Sequence, residues 1–164
     1  MRWNGNIVRV SEAPVVLAQV MLPGDANNQG DVHGGTIMKL VDTAGAIAAV
    51  RHARTRVVTA VVDQMTFDAP VHVGDLVELS ARLTWTGHTS MEVQVTVVAE
   101  RVVTGERRVT STAYVVYVAL DETGRPKPVP PFEPRTPDER RRWQAAEARR
   151  EARLRARQEH QAGR

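Results

Sequence analysis

The sequence predicts an α+β domain in which one antiparallel β-sheet wraps around a single long helix. Three observations carry that expectation. The hydrophobic period changes once along the chain, from about 3.6 residues to about 2. Four β-rich runs follow the change, joined by connectors short enough for antiparallel neighbours. Only one segment is apolar over more than half its circumference, as a helix enclosed by such a sheet would be.

The elements follow in order. Ala13–Met21, APVVLAQVM, is a short apolar run of strand type. LPGDANNQGDVHGG is dense in Pro, Gly, Asn and Asp and reads as an irregular loop. From about Gly35 to Ala53 the chain reads as helix, with Ile37, Leu40, Val41, Ala44, Ile47 and Ala48 on one face. Its wide apolar surface predicts that it is largely enclosed. Val57–Phe67 is rich in β-branched residues. In Leu76–Trp85, Val77, Leu79, Ala81, Leu83 and Trp85 alternate with polar residues, and Met91–Ala99 alternates likewise. Val109–Leu120 is the fourth β-rich run.

Beyond Leu120 a proline-rich segment leads to Thr136-Pro137-Asp138-Glu139, which resembles a capping box with proline at the first helical position. The Ala/Arg/Glu/Gln-rich stretch after it should be helical. Its apolar residues are few, chiefly Trp143 and Leu154, so it is expected to lie on a surface. The domain is therefore placed at residues 1–132, with 133–164 as an Arg-rich helical extension.

Composition narrows the function. The chain has 164 residues, 42% of them hydrophobic and 25% charged, which suits one globular domain. It contains no cysteine, so disulfides, thiolate catalysis and cysteine-ligated zinc are excluded. Residues 136–164 hold nine arginines against five acids, a balance of +4, which leaves the first 135 residues at −1 of a total of +3. Basicity belongs to the tail, and a tail without interleaved aromatics other than Trp143 gives no reason to expect nucleic acid as a partner. MRWNGNIVRVSE has no apolar run with a cleavage site, and nowhere do about 18 apolar residues run uninterrupted. A cytoplasmic protein without a membrane span is expected. The five histidines show no metal-ligand spacing, so no metal site is expected, and His52 and His72 are expected to be solvated. No G-x-S-x-G elbow is present, which argues against a serine hydrolase.

Two places stand out chemically. The loop holding Asp25-Ala26-Asn27 and Gly30 runs through His33-Gly34-Gly35 straight into the helix. Glycines let a ligand approach the backbone there, and amides at a helix start stabilise negative charge. Asp42 lies in the second turn of the helix, with Met38, Gly45, Ala46 and Ala49 beside it. A carboxylate in such surroundings is costly unless bonded or functional.

These stretches carry a family resemblance. MLPGDANNQGDVHGGTIMKLVDTAGAIAAVRHA resembles the hot-dog acyl-CoA thioesterases of the cytosolic acyl-CoA hydrolase type. VVTAVVDQMTFDAPVHVGDLVELSARLTWTGHTSMEV and YVVYVALDETGRPKPVP are similar to the same family, so the likeness covers about residues 15–131. It implies the hot-dog fold and hydrolysis of acyl-CoA to a carboxylic acid and coenzyme A, with no cofactor, since coenzyme A is part of substrate and product. By the same resemblance Asn27 and Asp42 face each other across a dimer interface. Asp42 would be general base or nucleophile, Asn27 would position the water or the carbonyl, and the Gly34 and Gly35 backbone would help bind the oxyanion. Thr59 would line the pantetheine channel. Gly87-His88-Thr89-Ser90 matches a coenzyme A-contacting turn, with His88 where the family commonly has arginine, so His88, Thr89 and Ser90 are candidate substrate contacts. A homo-oligomer is implied, at least a dimer and by resemblance a trimer of dimers. The alternatives are a hot-dog hydratase or dehydratase, or a non-catalytic acyl-CoA-binding regulator. An acid within the helix and a histidine before it favour hydrolysis.

Overall fold

The computed structural model describes residues 14–162. The segment MRWNGNIVRVSE, where no leader is expected, and Ala13 at the start of the first expected strand lie outside the described residues. Strand β1 (Val15–Val20) is followed by helix α1 (Gly34–Ala53), then by β2 (Val57–Phe67), β3 (Leu76–Thr86), β4 (Ser90–Arg101), β5 (Glu106–Ala119) and helix α2 (Pro137–Ala162). The strands form one sheet in the order β1-β3-β4-β5-β2, antiparallel throughout. The two edge strands are the ones on either side of α1 in sequence, so the helix spans the concave face between them.

Alternation builds the core. Val77, Leu79 and Ala81 of β3, Val93, Val95 and Val97 of β4, and Ala113, Val115 and Tyr117 of β5 turn inward. Ile37, Val41, Ala44 and Ala48 of α1 pack down on them. Fully burying one such valine or isoleucine contributes roughly 1.5–3 kcal/mol. The His33 ring caps α1 by accepting from Gly35 N, and Arg54 closes it in the left-handed region with φ 52°.

Three expectations need correction. A single chain does not enclose α1. The sheet covers one side, whose buried row runs through Gly45 and Ala49, and leaves Met38, Asp42 and Val50 exposed. Trp85 does not face inward with Leu83. Register shifts between them, so Leu83 opposes Val93 while Trp85 opposes Glu92. The extra residue reverses the phase of the strand and sends the indole to the outer face. His52 is not solvated but wholly buried, with Nε2 donating to Pro130 O at 2.7 Å. Burial holds its pKa below the ordinary value of 6.5, so the ring is neutral.

Helix α2 lies across the outer face. Thr136 and Glu139 form the capping box, Glu139 N donating to Thr136 Oγ1 and Thr136 N to Glu139 Oε2. Trp143 packs beside Trp85 and Phe132, at centroid distances of 6.1 and 5.9 Å. The ion contacts are tighter. Glu92 of β4 is fully buried and accepts from Arg149 Nη2 at 2.7 Å, Arg153 Nη1 at 3.1 Å and Thr84 Oγ1 at 2.9 Å. Arg153 also reaches Asp63 of β2 at 2.5 Å, and Arg149 sits 3.7 Å over the Tyr114 ring. An apolar stripe too thin for burial is thus supplemented by charge.

Candidate active site

The loop before α1 is held by its own polar groups. Pro23–Asp25 make a 3-10 turn, Ala26 bridges to Val32, and His33 N donates to Asp25 O at 2.8 Å. Asn27 Oδ1 accepts from Gln29 N at 2.8 Å and Asp31 N at 3.3 Å. Two backbone donors on one oxygen fix which way the amide points. Its Nδ2 has no acceptor among the described residues and is left as an available donor. Asp31 Oδ1 meets His72 Nδ1 at 2.8 Å, which ties the loop to the β2–β3 connection. His72, expected to be solvated, is half-buried in that pair.

Asp42 stands on the exposed side of α1 with its carboxylate held by one oxygen. Thr59 Oγ1, on edge strand β2, donates to Asp42 Oδ1 at 2.6 Å. The Tyr117 hydroxyl donates to Asp42 O at 3.0 Å and lies 3.4 Å from Oδ1. Asp42 Oδ2 has no donor among the described residues. One oxygen is anchored and the other is presented. Of the two helix-start glycines, Gly35 gives its amide to His33 Nδ1 at 3.1 Å, while the Gly34 amide has no acceptor among the described residues. Gly34 also borders an open cavity of about 320 Å³ between the helix start and the end of β2, lined by Val32, Ile37, Phe67 and Val71.

The turn joining β3 to β4 is fixed through its carbonyls. Val129 N donates to His88 O at 2.9 Å and Ala119 N to Thr89 O at 2.9 Å. Gly87 is required there, since a Cβ would lie 2.5 Å from the Trp85 ring. His88 is exposed, and Thr89 and Ser90 are half-buried.

The structure therefore joins Thr59 to Asp42, whereas the family resemblance implies a place for Thr59 along the pantetheine channel. It does not join Asn27 to Asp42 by a hydrogen bond within the chain. It adds Tyr117, which sequence reasoning passed over as one more β-former. The available signal was its inward phase with Val115 and Ala113. A phenol facing a helix needs an acceptor there. The arrangement offers an anchored carboxylate, an available amide donor and a helix-start N–H. Those are the parts needed to activate a water and stabilise an oxyanion. Among the described residues no cluster of three or more His, Cys, Asp or Glu is placed to hold a metal ion.

The chain is similar to proteins of one family. Residues 29–106 match the family model described as the thioesterase superfamily. An uncharacterized acyl-CoA thioester hydrolase of Bacillus subtilis, YkhA, is 41% identical over 128 residues, covering 78% of this chain and 74% of that protein. The cytosolic acyl coenzyme A thioester hydrolase of Mus musculus is 37% identical over 160 residues; these cover 90% of this chain but 42% of the mouse protein. Among solved structures, a hexameric acyl-CoA thioesterase superposes with a TM-score of 0.83 at 40% identity, covering 87% of this chain and 95% of that one. An acyl-CoA hydrolase of Staphylococcus aureus, in complex with butyryl coenzyme A and coenzyme A, gives 0.85 at 32% identity and 94% of both chains. With fold, identity and coverage in accord, the chain belongs to the hot-dog acyl-CoA thioester hydrolases of the thioesterase superfamily.

Proposed function

We propose that this protein hydrolyses acyl-CoA thioesters in the cytoplasm, with Asp42 acting on water as general base. The observation that carries the reading is the anchoring of Asp42 Oδ1 by Thr59 while Oδ2 stays open beside a solvent-reachable helix face. The water oxygen bonds to the thioester carbon as its proton passes to Asp42. The carbonyl oxygen gathers negative charge facing the Asn27 amide and the Gly34 N–H. The carbon–sulfur bond then breaks, and the thiolate takes the proton as coenzyme A leaves. Water and thioester balance the reaction, so no cofactor is called for. His88, Thr89 and Ser90 are assigned to the coenzyme A portion.

A second copy completes the site in this reading. Asn27 and Asp42 share no hydrogen bond within one chain, and the surface next to Asp42 is apolar and open. Val58, Val61 and Val62 on edge strand β2 and Met38 and Val50 on α1 are all exposed. An unpaired apolar edge is a template for two-fold pairing. The dimer is proposed to form there, and three dimers to assemble into a hexamer, as the hexameric state of similar thioesterases suggests.

Thiol release from a panel of acyl-CoAs tests both parts. Asp42→Asn is expected to lower turnover at least about 10²-fold. Mixing Asn27→Ala with Asp42→Ala protein under subunit exchange should return activity that neither has alone. Full turnover in Asp42→Asn would refute the base. Verified exchange with no regained activity would refute the shared site.

A further inference from the structure

Two local rules of protein construction are broken at one point beside Asp42. Gly45 sits in the middle of α1, where glycine costs about 1 kcal/mol relative to alanine. Directly beneath it lies the fully buried side chain of Tyr117, whose hydroxyl would cost roughly 1–3 kcal/mol if left unbonded. Each departure explains the other. A Cβ on residue 45 would stand 2.3 Å from the phenol oxygen and 3.0 Å from Cζ, so any side chain there would displace the ring. The only acceptors the hydroxyl finds among the described residues are two oxygens of Asp42, O at 3.0 Å and Oδ1 at 3.4 Å.

The sheet places this hydroxyl together with that of Thr59. Thr59 and Tyr117 are direct cross-strand partners on β2 and β5, so their side chains rise on the same face. Both polar tips converge on Asp42, one from an edge strand and one from inside the core. Tyr114, three residues earlier, faces the other way, with its ring under Arg149 and its hydroxyl accepting from Gln94 Nε2 at 3.3 Å. Burial and the neighbouring Asp42 carboxylate push the Tyr117 phenol above its ordinary value, so it stays a donor.

We infer that Tyr117 is a positioning residue for the hydrolysis, and that Gly45 is there to admit it. Through the Asp42 carbonyl the phenol fixes the height and rotation of α1 over β5. Through Oδ1 it keeps the carboxylate turned so that Oδ2 meets the water. The inference rests on the hydrolase reading, in which Asp42 is the base. A misplacement of about 1 Å in such a group can cost as much as 10²-fold in rate, and losing one of two anchors should cost part of that.

The test is steady-state thiol release by the full chain with an acyl-CoA substrate, read with melting temperature and oligomeric state. Tyr117→Phe is expected to lower kcat about tenfold with KM within twofold and the assembly intact. Gly45→Ala should give the same pattern, because its methyl takes the place of the phenol oxygen. The double variant should be no worse than the poorer single one, since both remove one contact. Tyr114→Phe, on the same strand but the outer face, should keep full kcat. A Tyr117→Phe protein with kcat within twofold of the parent would overturn the assignment, as would equal losses in the Tyr114 variant. Should Tyr117→Phe fail to fold, Gly45→Ala decides, and full turnover there overturns it. A parent protein that releases no thiol sinks the hydrolase reading itself, and an Asp42→Asn variant at full rate sinks Asp42 as the base that Tyr117 would position. An inactive Asp42→Asn beside a fully active Tyr117→Phe sinks only the role of Tyr117.

Discussion

Replacing Arg149 and Arg153 together by methionine should destabilise this protein more than any surface pair normally would. Exposed ion pairs contribute about 0–1 kcal/mol, because water screens them and the side chains lose freedom. Glu92 is different. Its side chain has no solvent exposure, and the two arginine side chains are themselves only 19% and 18% exposed. With both arginines gone, the carboxylate keeps Thr84 Oγ1 as its one side-chain donor beneath a helix that still covers it. Breaking a buried pair from one side costs about 3–5 kcal/mol, since the remaining charge is uncompensated. For a chain of this length each kcal/mol moves the melting temperature by about 2–4 °C, which gives a fall of about 6–20 °C. Thermal melts at one fixed protein concentration measure it, as subunit association also shifts the midpoint. Adding Glu92→Met to the double variant removes the stranded charge and should recover most of the loss. A double variant melting within about 2 °C of the parent, or a triple variant no better than the double, would show that α2 is not held by this charge network.

The remaining predictions concern the open edge and the buried histidine. Val61→Lys with Val62→Lys places charge on the exposed valines of β2 and should shift the protein towards monomer in light scattering, with thiol release falling in step; an unchanged assembly would move the interface elsewhere. Because burial lowers the pKa of His52, the unfolded chain takes up its proton first. The neutral ring's contribution is therefore complete above about pH 6.5 and is lost as pH falls from there towards the folded value. Melting temperature followed from pH 8 to pH 5 should drop more steeply for the parent than for His52→Gln, and parallel curves would refute it.

Most of the fold was legible because alternation and the single helical stretch are properties of short windows. The strands fall where β-branched residues alternate, and the capping box at Thr136 was visible as four letters. What escaped depends on contacts between distant residues. Trp85 alternates correctly in the sequence, and only the residue inserted against β4 turns it outward. His52 looks like a solvated helix end because Pro130, its acceptor, lies 78 residues away. Asp63 sits in a β-rich run with nothing near it in sequence to pair its charge, and its partner Arg153 is 90 residues on. At the site, Asn27, Asp42 and the glycines were marked by local composition and by family likeness. Tyr117 was not, since nothing near it in sequence says that its hydroxyl ends on Asp42.

The phase reversal in β3 has a consequence for how this chain tolerates change. Before Thr84 the strand's apolar side chains answer to α1, and after it Trp85 answers to α2. One continuous backbone thus serves two hydrophobic interiors that share no side chains along it. A substitution at Leu79 or Ala81 is felt by the layer that carries Asp42, whereas one at Trp85 is felt by the layer that carries Arg149. The two interiors are free to vary independently, provided the length of β3 does not. Insertion of one further residue between Leu83 and Trp85, with the bulge kept, would instead bring the indole opposite the inward-facing Met91, under α1, and couple the layers at once.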